Sequence, residues 1–180
     1  MEVRFKLSKF GKHLWTRATA KTIRPELLAR LEKLHQGDTL IIDLSSVEVF
    51  DFSFANELFG KTLLSLRTEY VGRFLVVENL TDYTRENLDQ ALRALGLAII
   101  ERKGTKLSLL GKAHAVDHAT FAVIARAGAP VTAATLRDQL GVNLTAMNER
   151  LSKLVALGVA RREKTASAAG REQYEYRVLA

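Results

Sequence analysis

The sequence predicts an α/β protein: a mixed β-sheet, parallel at its centre with one antiparallel edge, packed with helices and followed by a smaller helix-rich domain. Three observations carry this. Leu40-Ile41-Ile42 and Phe74 to Val77 are uninterrupted apolar runs, the pattern of strands covered on both faces. Amphipathic helical stretches alternate with strands in the order β(β)αβαβαββ. After the short hinge Lys112–Asp117 the pattern changes to helix, helix, helix, hairpin. The boundary is placed between residues 1–112 and 113–180.

Each element has its own signal. Val3 to Leu7 alternates apolar residues with Arg4 and Lys6, as a half-buried strand does. His13-Leu14-Trp15 suits a second short strand, and Trp15 beside it reads as core. A helix lies within Arg17 to His35, clearest from Pro25 to Leu34; Pro25 fits an early helical position better than an interior one, and a helix that begins near Thr16 must be kinked there. Gln36-Gly37-Asp38 turns the chain into the strand Thr39 to Leu44. The next helix starts near Ser53, with Phe54, Leu58, Phe59, Leu63 and Leu66 apolar and Glu57–Lys61 as an i,i+4 pair.

Thr81 or Asp82 caps a helix whose inner face is Leu88, Ala91, Leu92 and Leu95, and Gly96 ends it. Leu97 to Arg102 and Lys106 to Leu110 form a hairpin across Lys103-Gly104-Thr105. In the smaller domain, helices are expected over His118–Ala127, Ala133–Leu140 after Thr132, and Leu144–Leu157 after Asn143. Gly158 ends the last. Val159–Lys164 and Gln173–Leu179 are strands around an Ala/Ser-rich tip.

Of the 180 residues, 27 are Lys or Arg and 20 are Asp or Glu, a net charge of +7 that favours acidic partners, nucleic acid first. Cysteine is absent, which excludes disulfides, thiolate nucleophiles and cysteine metal sites. No secretory h-region opens the chain, and no apolar run approaches the ~20 residues of a membrane span. A cytoplasmic protein without membrane contact is expected. His13, His35, His114 and His118 show no ligand spacing, and there is no phosphate loop or nucleophile elbow. Neither enzymatic activity, a metal nor a cofactor is expected.

The segments TAATLRDQLGVNLTAMNERLSKLVALGVARRE and GREQYEYRV resemble the winged helix-turn-helix DNA-binding domains of bacterial regulators. The resemblance implies that Leu144–Leu157 is a recognition helix and residues 159–179 a wing. With Met147, Leu151 and Leu154 inward, Thr145, Asn148, Glu149 and Ser152 face outward, toward base edges of double-stranded DNA. Arg161, Arg162, Lys164 and Arg171 would neutralise phosphates. Four such contacts give a log–log salt slope of roughly −3.6. One recognition helix reads few base pairs, so a homodimer is expected. Winged-helix modules also serve as dimerisation or protein-docking domains.

The segment IIDLSSVEVFDFSFANELFGKTL, with TRATAKTIRPEL upstream, resembles the STAS domains of bacterial anti-sigma factor antagonists. A STAS-like mixed β-sheet packed with helices is the fold this implies, and partner binding its role. Aligning Asp51 with the family's acidic residue puts Phe52 where those domains carry a switchable serine. Ser53, one residue on, reads as a helix N-cap or as a displaced phosphosite. Asp51, Phe52, Ser53 and Glu57 are thus the candidate regulatory loop, docking a protein partner. Two functions follow: a DNA-binding transcriptional regulator, or a partner-switching module without sequence-specific DNA binding.

Overall fold

Apolar runs need two covered faces, and the chain supplies a sheet on which they lie side by side. The computed structural model describes residues 1–167 and 170–178. Ala168 and Ala169 of the expected wing tip, and Leu179, lie outside the described residues. Two compact units divide the chain after Lys112.

In the N-terminal unit, β1 (Glu2–Lys6), β3 (Thr39–Asp43), β5 (Phe74–Glu78) and β6 (Ala98–Lys103) are parallel neighbours in that order. β7 (Lys106–Gly111) closes the edge antiparallel to β6. Strands that follow one another in space as in sequence, with right-handed crossovers, send every connecting helix to the same face. The crossovers are α1 (Arg17–Glu32), the continuous helical run from Phe52 to Thr68, and α4 (Asp82–Ala94). Their apolar sides join Phe5, Leu40, Ile42, Leu75, Val77 and Ile99 in one core. On the other face Ile41, Val76 and Ile100 are buried as well. A short strand β2 (His13–Leu14) pairs in parallel with β4 (Val49–Phe50), an element without a signal in the sequence.

Of the two helix starts that the sequence allows, the earlier is found, and the expected burial of Trp15 fails. α1 begins at Arg17 with Thr16 as its cap, so Pro25 stands in the helix interior. The missing N–H and ring clash cost about 3 kcal/mol. Buried Ala20, Ile23, Leu27 and Leu31 lie on both sides of Pro25, and each large apolar side chain returns roughly 1.5–3 kcal/mol. Trp15 is not core but 46% exposed. The strand before it is two residues long and Leu14 takes the inward position.

The C-terminal unit holds α5 (Ala115–Ala127), β8 (Val131–Thr132), α6 (Ala133–Leu140), α7 (Leu144–Ala156) and the hairpin β9 (Arg161–Ala166) with β10 (Glu172–Arg177). The three strands form an antiparallel sheet in the order β8-β10-β9. α5 starts inside the expected hinge, because His114 is its N-cap residue and the Asp117 carboxylate accepts the His114 N–H at 2.8 Å. Thr132 and Asn143 cap α6 and α7 through side-chain oxygens, as expected. Gly141 takes a left-handed φ of 63°, which lets the chain turn between them. Val159 and Ala160 are buried before β9 begins.

Candidate functional site

The strand-to-helix corner of the N-terminal unit is knitted by one carboxylate. Asp51 Oδ1 accepts the Phe54 N–H at 2.7 Å and the Ser53 hydroxyl at 2.9 Å. Its Oδ2 accepts the Thr16 N–H at 3.3 Å. Asp51 is therefore the cap of α2 (Phe52–Ala55), and Ser53, expected as the cap, is a donor inside the first turn. A carboxylate accepts more bonds than a hydroxyl, and Asp51 sits at the residue that leaves the extended region. Burial pushes the Asp51 carboxyl up, but the Phe54, Ser53 and Thr16 donors outweigh it and hold it below the usual aspartate range.

The Thr16–Asp51 bond places Trp15 and Phe52, the residues beside its two ends, at one corner; both are exposed. Thr16 has φ 72° and ψ 151°, a conformation that a β-branched residue rarely adopts.

Past α2 the helix widens into a π-helical turn, Asn56–Gly60, before α3 (Lys61–Thr68). This turn carries Glu57, which is fully buried rather than presented for docking. The expected Glu57–Lys61 pair forms at 2.7 Å, as a pair with a buried carboxylate instead of a surface i,i+4 pair. Arg24 and Arg17 of α1 stand 3.7 and 3.8 Å from the same carboxylate. Lys61 approaches off the hydrogen-bonding direction, so neither Glu57 oxygen accepts a well-formed bond. Burial pushes the Glu57 carboxyl up, but Lys61, Arg24 and Lys21 together hold it below the usual glutamate range. The sequence reading found Glu57 and missed Arg17, Lys21 and Arg24. Their i, i+4, i+7 spacing was the available signal.

In the C-terminal unit, Thr145, Asn148, Glu149 and Ser152 of α7 are all exposed, while Met147, Leu151 and Leu154 are buried. Lys153 is turned to buried Asp117. On the hairpin the four candidate cations differ. Arg161 pairs with Glu163 at 2.9 Å and Lys164 with Glu172 at 2.5 Å. Arg162 lies over the Tyr174 ring, 4.6 Å from its centroid, and Arg171 is exposed. Tyr174 and Glu172 face the same side as Lys164 across the β9–β10 register; the sequence reading did not use them.

The N-terminal unit is thus a sheet parallel except at β7, with its crossover helices on one face and a capped corner at Asp51 after β4. Residues 25–85 match the family model of a STAS-like domain of unknown function, DUF4325. The match contains Asp51, Phe52, Ser53, Glu57 and Lys61; Trp15, Arg17, Lys21 and Arg24 precede it. No curated protein matches the chain. No helix among the described residues is long and apolar enough to cross a membrane. The described residues include no group of three or more His, Asp or Glu able to hold a metal ion.

Proposed function

We propose that the chain is a DNA-binding transcriptional regulator, in which the C-terminal unit binds duplex DNA and the STAS-like unit engages a partner or a second copy. The observation that carries this is the two-sided character of α7. Its inner residues Met147, Leu151 and Leu154 are buried to the last atom, and its outer face offers Thr145, Asn148, Glu149 and Ser152. An α-helix fits the B-DNA major groove, where Asn pairs bidentately with adenine and Glu accepts from the cytosine amino group. The hairpin β9–β10 follows α7 directly and carries Arg162 and Arg171 free of carboxylate pairing among the described residues, as phosphate contacts. Read as a homodimer, the protein takes two half-sites about 10 base pairs apart.

Selection of genomic fragments by the purified protein tests this. Recovery of a two-fold symmetric site at that spacing supports the regulator. Uniform recovery at low salt, unchanged by Asn148→Ala, overturns sequence-specific binding. The second reading, a partner-switching module, draws on the ion pairs of Arg161 and Lys164, which lower the charge of the hairpin. Co-purification of a stoichiometric protein partner, lost on Phe52→Ala and without any DNA retention, would favour it.

A further inference from the structure

Around Glu57 in the N-terminal unit, cations outnumber carboxylates. Several other arginines of the unit are matched by carboxylates: Arg85 by Glu101 and Asp82, Arg93 by Asp89, Arg102 by Glu2 and Glu78, Arg4 by Glu78. Around Glu57, four cations face one carboxylate: Arg17, Lys21 and Arg24 of α1, and Lys61 of α3. At 3.8 and 3.7 Å neither guanidinium closes a hydrogen bond on Glu57. Both are held near the same carboxylate by attraction; Arg17 is exposed to solvent and Arg24 partly so. Glu57 is buried with both oxygens lacking a well-formed bond, and it lies beneath this cluster rather than in front of it. It fixes the cations without covering them.

Two exposed aromatic residues lie at the starts of the helical runs that carry these cations. Trp15 directly precedes α1 and Phe52 opens α2; they are 46% and 41% exposed. The Thr16–Asp51 bond ties their two segments together, with Arg17 one residue beyond it. Arg17 to Arg24 spans about 10 Å of helix axis at 1.5 Å per residue. That length accommodates more than one backbone phosphate.

We propose that this face, Trp15 and Phe52 with Arg17, Lys21, Arg24 and Lys61, binds single-stranded nucleic acid. Flat rings beside a cationic stripe are the elements of a sequence-tolerant strand site: phosphates lie on the cations and unpaired bases stack on the rings. A duplex uses the cations but leaves the rings idle, because its bases are already stacked. An acidic polypeptide meets the cations, but it gains from the rings only where an apolar side chain happens to fall. This names the partner of the STAS-like unit and is independent of duplex binding by the C-terminal unit.

Trp15 is the only tryptophan in the chain, so its emission reports on this face alone. The full-length protein is titrated with oligo(dT) of about twelve nucleotides, a length within the usual single-strand site sizes. Quenching of Trp15 emission is expected, with affinity falling roughly twentyfold between roughly 50 and 200 mM salt for three phosphate contacts. Arg17→Glu with Lys21→Glu, both at exposed positions, should abolish the quenching while circular dichroism stays that of the parent. Arg162→Ala with Arg171→Ala should leave it intact while duplex retention falls, which separates this proposal from the regulator reading. No quenching at low salt overturns the proposal. So does quenching that survives the charge reversal, or equal quenching by poly-glutamate or by a duplex of the same length.

Discussion

Lys153 of α7 and Asp117 at the start of α5 meet at 2.5 Å, with the carboxylate buried. The same carboxylate accepts the His114 N–H, so one side chain both caps α5 and anchors α7. Lys153→Met would leave Asp117 charged and unpaired below the surface. Complete loss of one partner in a buried pair costs about 3–5 kcal/mol, and the partial exposure of Lys153 reduces this to about 1–3 kcal/mol. Urea denaturation of the full chain should show the C-terminal unit weakened by that amount. Asp117→Asn in the same protein should recover part of it, because the orphaned charge is gone.

Acid should destabilise both units. The Asp51, Glu57 and Asp117 carboxyls are each held below their ordinary range, against burial, by the donors and cations around them. A folded-state pKa below the unfolded value means that the unfolded chain binds more protons as the pH drops. Their contribution is complete above the unfolded carboxyl pKa of about 4 and is lost as pH falls through the folded values. The urea midpoint should thus be level near neutrality and decline below about pH 4–5. Glu57→Gln should lower the midpoint at neutral pH and flatten the acid decline, since the group that titrates is absent. A decline as steep as that of the parent would remove Glu57 from this account.

What the sequence made legible was local or periodic. β3 and β5 were visible as apolar runs, and Thr81, Thr132 and Asn143 as caps, because a cap depends on its own residue and the next three. The corner at Asp51 was misplaced by two residues, since Asp, Phe and Ser follow one another and two of the three are good caps. Glu57 was visible as a member of an i,i+4 pair, but such spacing carries no information on depth. The π-helical turn Asn56–Gly60 rotates the positions that follow a regular 3.6-residue repeat, and α1 arrives from far upstream to bury the carboxylate. Trp15 was misread for the complementary reason: its neighbour Leu14 had already filled the inward position.

Gly111 and Gly60 should differ in their tolerance of alanine. At Gly111 φ is +99°, and a Cβ would meet the Leu97 carbonyl oxygen at 2.3 Å and Leu92 Cβ at 2.8 Å. Backbone cannot step aside there, so Gly111→Ala should cost about 2–4 kcal/mol. At Gly60 the backbone is helical and the close atom, at 2.4 Å, is Leu95 Cδ1, the end of a flexible, half-buried side chain. Rotation of Leu95 costs about what the better helix propensity of alanine returns, and the net change should stay within about 1 kcal/mol. Thermal unfolding of the two variants beside the parent ranks them directly.

The four hairpin cations should not contribute equally to duplex binding. Counting all four as phosphate contacts gives the slope of roughly −3.6 expected from the sequence. Arg161 and Lys164, however, are held by Glu163 and Glu172, and a phosphate must compete with those carboxylates. Arg162 lies over the Tyr174 ring with no carboxylate partner among the described residues, and Arg171 is exposed. Two effective contacts give a slope of roughly −1.8. Arg162→Ala and Arg171→Ala should therefore each weaken binding across all sequences and flatten the slope by about 0.9, whereas Arg161→Ala should change it less. Glu172→Gln supplies the converse: it releases Lys164 and should tighten binding and steepen the slope toward three contacts. Equal losses from all four arginine and lysine substitutions, with Glu172→Gln silent, would mean that the ion pairs open at no cost when DNA arrives.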